Sequence, residues 1–169
     1  MTKPNTDHLG KWNEVVTAFH TESDRGAAVL AASFAENQLR LLLLAVAKNG
    51  KAAKDLFNAT GPLSSFSQCI TCAYAFGCIT DSQYNDLNLI RQIRNFFSHH
   101  PREASFLNKK VSGLVAGLSP KSVHDVCKES TENNRLRAVY IMACAFFCGA
   151  VDAVLEGKGI KKPRTKSKT

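Results

Sequence analysis

Apolar positions recur along the chain at helical spacing, and no segment alternates apolar with polar residues as a half-buried strand does. Trp12, Val15, Val16 and Phe19 stand at i, i+3, i+4 and i+7 and predict a first short helix over residues 8–20. Thr21-Glu22-Ser23-Asp24 has the hydroxyl-to-carboxylate spacing of a capping box. A long helix is expected next, running to about Lys48 and stopped by Asn49-Gly50. From Leu39 to Ala47 it is apolar almost all round apart from Arg40, the pattern of a central helix.

Gly61-Pro62 breaks the chain, and Ser64 or Ser65 caps a helix that should end at Gly77. Thr80-Asp81-Ser82-Gln83 is a second capping box, opening a helix to about His99, with Pro101 limiting its continuation. Residues 101–120 contain Gly113, Gly117 and Pro120 and read as irregular. Ser119-Pro120 is expected to open a short helix through Cys127, and Ser130 or Thr131 to cap a last long helix ending at Gly157. The expected fold class is all-α: a single bundle of five or six helices.

Length and composition sharpen that picture. The chain has 169 residues, 44% apolar and 21% charged, which suits one globular domain and excludes a mainly disordered chain. The net charge of +8 is unevenly placed. Gly157 to Thr169 holds six basic residues, Lys158, Lys161, Lys162, Arg164, Lys166 and Lys168, and no acid. Taking those six from the 22 basic residues leaves 16 against 14 acidic ones, a net of +2. The expected organisation is therefore a nearly neutral helical domain over residues 1–156 and a disordered basic tail over 157–169. In the tail, Lys161, Lys162 and Arg164 are candidates for non-specific phosphate contacts, and a solubilising end is the plainer reading.

The first 14 residues are polar and carry no apolar core of a secretory signal. The six cysteines accordingly read as reduced thiols, and the expected location is cytoplasmic. The longest apolar run, Ala138 to Val151, is short for a membrane span and reads as a buried helix, so no membrane partner is expected.

Chemistry concentrates between Leu87 and His100. On a helical wheel Leu89, Ile90, Ile93, Phe96 and Phe97 share one arc, and Arg91, Arg94, Asn95, Ser98 and His99 the opposite one. Asn95 and His99 are i and i+4. Two guanidinium groups, an amide, a hydroxyl and an imidazole on one stripe can bind a phosphate and move a proton near neutral pH. A solvated face or a polar dimer seam fits the same wheel.

Arg94-Asn95-Phe96-Phe97-Ser98-His99 resembles the HEPN signature, an Arg and a His four to six residues apart, often with a polar residue after the Arg. That resemblance implies a small helical bundle that dimerises, and in many members a metal-independent RNA endonuclease. Four longer blocks are similar to the mannitol operon repressor-like (MltR) family: Glu22 to Ala28, Gly61 to Phe66, Tyr74 to Gly77 and Leu87 to Asn95. They come in the right order and cover roughly residues 10–105. The likeness implies an all-helical bacterial transcriptional regulator. No helix pair has a convincing helix-turn-helix turn, so action through protein or nucleic-acid contacts without one is expected. From Phe106 onward no family block is recognised.

Three functions follow as expectations. The first is a repressor-type regulator. The second is a HEPN-type endoribonuclease in which His99 is the general acid or base, Arg94, with Arg91, stabilises phosphate charge, and Asn95 orients. Ser98 joins the phosphate-binding set. The third is a catalytically silent interaction module. A homodimer through the helix carrying Arg94 and His99 is expected, since an isologous seam doubles the set. DNA, RNA or a protein are the candidate partners.

Glu22 and Asp24 read first as helix-capping acids and, alternatively, as acids that orient Arg91 or Arg94. Cys69-Ile70-Thr71-Cys72 and the Cys144/Cys148 pair are weak zinc candidates, because both lie in apolar helical surroundings. No metal and no cofactor is expected. His124 and Asp125 read as exposed, and His8 and His20 carry no partner pattern.

Overall fold

Ser23 begins the first long helix: its backbone is extended and its hydroxyl accepts the Gly26 amide at 3.1 Å. The computed structural model describes residues 19, 21–48, 50–119 and 131–158. Within them lie α1 (Asp24–Val46), α2 (Gly50–Leu56), α3 (Phe66–Ala75), α4 (Asp81–His99), a 3₁₀ turn (Pro101–Glu103), α5 (Lys109–Ala116) and α6 (Glu132–Gly157). Among the described residues there is no strand, and the six α-helices give the all-α class expected from the sequence.

Local chemistry sets several boundaries where the sequence places them. Ser65 caps α3 and Thr80 caps α4, each in a full capping box closed by Gln68 and Gln83. Thr131 caps α6, accepting the Asn134 amide at 3.4 Å. Gly77, in the turn between α3 and α4, has φ of 65°, the left-handed region that favours glycine. Gly61 is needed for a different reason: a Cβ there would stand 2.4 Å from the Leu56 carbonyl oxygen.

Other boundaries differ from expectation. The cap of α1 is Ser23, two residues beyond the Thr21 of the expected box. Gly50 does not merely stop a helix: it begins α2, a seven-residue turn of helix that buries Ala53. The stretch expected to be irregular contains α5, capped by Asn108, with Val111 and Val115 fully buried. The expected helices over 8–20 and from Ser119 to Cys127 lie almost wholly outside the described residues, as does the tail from residue 159. Phe19, which is described, is buried.

α1 and α6 form the most extensive helix pair, and α4 packs against α1, α3, α5 and α6. Five alanines, Ala27, Ala28, Ala31, Ala32 and Ala35, are fully buried on α1. Their small side chains let neighbouring helices approach its backbone, and the Tyr140 hydroxyl of α6 donates to the Ala28 carbonyl at 2.8 Å. Leu87, Ile90, Ile93 and Phe97 of α4 complete the core. By length and composition α1 and α6 are each apolar enough to cross a membrane. In the fold they pack on one another as core helices, which accounts for that composition.

Candidate functional site

The buried face of α4 is Leu87, Ile90, Ile93, Phe96 and Phe97. Its opposite side carries Arg91, Arg94, Asn95 and Ser98, half-buried, and His99, exposed. The wheel arcs are thus those read from the sequence, except that Leu89 is only half-buried beside Gly117.

Arg94 is held on both sides. Its Nη2 donates to Glu36 Oε2 of α1 at 3.0 Å, and its Nη1 to Asn95 Oδ1 at 3.2 Å. The other Glu36 oxygen accepts from Arg40 Nη2 at 3.0 Å. That Arg40 nitrogen also donates to the Ser64 carbonyl at 2.8 Å. One carboxylate thus sits between two guanidinium groups, leaving the cluster positive.

Around it, the Ser98 hydroxyl turns back to the Arg94 carbonyl at 2.8 Å. Arg25 of α1 reaches the Ser98 carbonyl at 3.5 Å. The Nε of Arg91 is buried, and no hydrogen-bond partner for it lies among the described residues. The α1–α4 face is therefore a cationic strip of Arg25, Arg91 and Arg94, with the His99 imidazole at its end. His100, next along and also exposed, folds back on the last turn of α4: its Nδ1 is 3.1 Å from the Phe96 carbonyl and its ring stacks on Phe96 at 4.5 Å.

The acid on Arg94 is Glu36, not Glu22 or Asp24. Asp24 accepts from Asn133 Nδ2 at 3.0 Å and Arg137 Nη1 at 3.2 Å, both on α6. Arg137 also donates to the carbonyls of Phe19 and Glu22, tying the entry to α1 onto α6. Glu36 carries one sequence signal: after Asp24 it is the one acid of α1, and it stands four residues before Arg40.

The described cysteines, Cys69, Cys72, Cys78, Cys144 and Cys148, are free thiols. Among the described residues no group of three or more His, Cys, Asp or Glu is placed to hold an ion. Burial pushes the Cys69 thiol up to about 11 and the Cys144 thiol higher still. Lys161, Lys162, Arg164, His124, Asp125, His8 and His20 lie outside the described residues.

Residues 34–155 match the family described as MtlR, mannitol repressor. The chain belongs to the mannitol repressor family. The expected class, a repressor-type regulator, follows from that membership. The match extends past Phe106, where no block had been recognised, and begins after the Glu22 to Ala28 block. Among solved structures the fold is shared with the MtlR–HPr complex from Escherichia coli, at TM-score 0.65 and 19% identity, over 83% of this chain and 97% of that one. It is also shared with YggD from Shigella flexneri, described as a possible transcriptional regulator, at TM-score 0.64 and 15% identity, over 89% and 98%. Among curated proteins, none matches this sequence.

Proposed function

We propose that this chain is a cytoplasmic regulator that acts by binding a protein partner of the HPr kind on its cationic α1–α4 face. The observation that carries the reading is the arrangement around Glu36. It fixes Arg94 beside Asn95, with Arg25 exposed and Arg91 half-buried as the further cations of the face and the exposed His99 imidazole at its end. A family relative of the same fold has been solved with HPr, which supports a protein partner. A surface of this charge suits an acidic or phosphate-bearing face on that partner. A homodimer through α4 would use the same strip, so the two associations would compete.

The test is calorimetric titration of the protein with HPr from its own source organism. The expected result is saturable binding that Arg91→Glu weakens at least tenfold, with the helical circular dichroism unchanged. Saturable binding that Arg91→Glu leaves intact would place the partner elsewhere, and absence of binding would remove this partner class.

A metal-independent HEPN-type endoribonuclease is the second reading. It is supported by Asn95 and His99 one turn apart on the outer side of α4, with Arg94 held alongside. There His99 would move the proton of a ribose 2′-hydroxyl, Arg94 and Arg91 would stabilise phosphate charge and Asn95 would orient. Ser98 already spends its hydroxyl on the Arg94 carbonyl, so its part would be to hold the helix. The residues Lys161, Lys162 and Arg164 would add non-specific contacts to DNA or RNA.

A further inference from the structure

At the far end of the bundle from the α1 entry, a cavity of about 710 Å³ opens where the last turns of α1 and α6 meet α2 and α3. Leu42 and Leu43 form its floor, with Ala53 and Leu63 on its sides. Its size is that of a small-molecule site, and its described lining is apolar with one exception. The exception is Lys158, the only charged side chain among the described lining residues.

The rim is unusual. Val46, Leu56, Phe76 and Val154 all line this cavity, and all are large apolar side chains left exposed, Phe76 to 78%. Such convergence on one opening marks a binding site rather than scattered surface. Cys72 also faces the cavity, and burial, then the neighbouring Cys78, push its thiol up, so it stays neutral and uncharged toward an occupant.

We propose that this cavity is an effector site for a free, medium-chain carboxylate amphiphile. The hydrocarbon body lies on Leu42, Leu43 and Leu56, and the carboxylate pairs with the Lys158 ammonium at the mouth. An apolar lining with a cation at its edge selects an anionic head on an apolar tail. A cationic amphiphile is opposed, and a neutral one loses the ion pair. The site shares no residue with the cationic face, yet it adjoins it. Phe57 of the cavity wall lies under the Arg40 guanidinium at 5.8 Å, and Arg40 shares Glu36 with Arg94.

The experiment titrates the full chain with dodecanoate below its micellar concentration, with dodecanol and dodecyltrimethylammonium as parallel probes. Expected is one-to-one binding of dodecanoate, at least tenfold tighter than either control. Lys158→Glu should weaken it at least tenfold. Val154→Trp, a substitution at a half-exposed position, should block it with the melting temperature retained. Absence of dodecanoate binding in the wild type overturns the proposal. So does binding that both variants leave intact, equal binding of dodecanol, or co-sedimentation with phosphatidylglycerol vesicles in place of binding to the monomer. None of these outcomes bears on the HPr titration, which reads the other face.

Discussion

Glu36 and Arg94 are 58 positions apart in the chain and 3.0 Å apart in the fold. That pair joins α4 to α1 at the height of the polar stripe. It also commits both terminal nitrogens of Arg94 within the protein, one to Glu36 and one to Asn95. Arg94 is thereby a structural member of the cationic face, Arg25 is its exposed one, and Arg91 is half-buried between.

Replacing Glu36 with Gln should leave two neighbouring guanidinium groups without their shared anion. The side chains of Arg94 and Glu36 are 30% and 17% exposed, so solvent screens the loss. The expected destabilisation is about 1 kcal/mol. A double-mutant cycle with Arg94→Met, read by urea unfolding, should give a coupling of the same sign. An additive cycle would show that the contact contributes nothing.

Arg137 should matter more than Arg94. Its side chain is only 11% exposed and satisfies the Asp24 carboxylate and two backbone carbonyls. Arg137→Met would leave Asp24 with only Asn133, at a cost of about 2–3 kcal/mol. Chemical denaturation checks this; a midpoint unchanged from the wild type would contradict it.

Stability should fall in alkali. Burial raises the Tyr140 hydroxyl well above 10.0 and the Cys69 thiol from 9.0 to about 11. In the unfolded chain both groups ionise at their ordinary values, whereas the folded state keeps them protonated. Their contribution is therefore complete below pH 9 and is lost as pH rises through 9 to 11 and beyond. Tyr140→Phe should cost about 1 kcal/mol at neutral pH, from the lost bond to Ala28. It should also flatten the decline above pH 10. A parallel alkaline limb in wild type and variant would refute the assignment.

Mixed RNA incubated with the protein in EDTA should remain intact, as it should with His99→Ala. Cleavage by the wild type that disappears in His99→Ala would transfer the α4 stripe from partner binding to catalysis. Gel electrophoresis of the RNA separates the two results.

Much of the fold was legible because its signals are local. Thr80 with Gln83 satisfies backbone groups within four residues, so the start of α4 could be read from spacing alone; at α3 the reading left Ser64 and Ser65 open, and Ser65 with Gln68 closes the box. At α1 the same spacing pointed to Thr21, whereas the cap is Ser23. Ser23 wins where Arg137 of α6 pulls in the carbonyls ahead of it. The short helices α2 and α5 were missed for a related reason. At seven and eight residues they are too short to stand on propensity and form because Ala53, Val111 and Val115 dock on the core.

By itself the sequence determined the all-α class, the polar stripe from Arg91 to His99 and, through its blocks, the family. Each rests on periodicity, capping or residue order, which are properties of neighbouring positions. Only the tertiary structure decided which acid holds Arg94, where Asp24 goes and that an apolar cavity opens beside Lys158. Those depend on how α1, α4 and α6 rotate and dock against one another, and that geometry is set by packing the whole core at once.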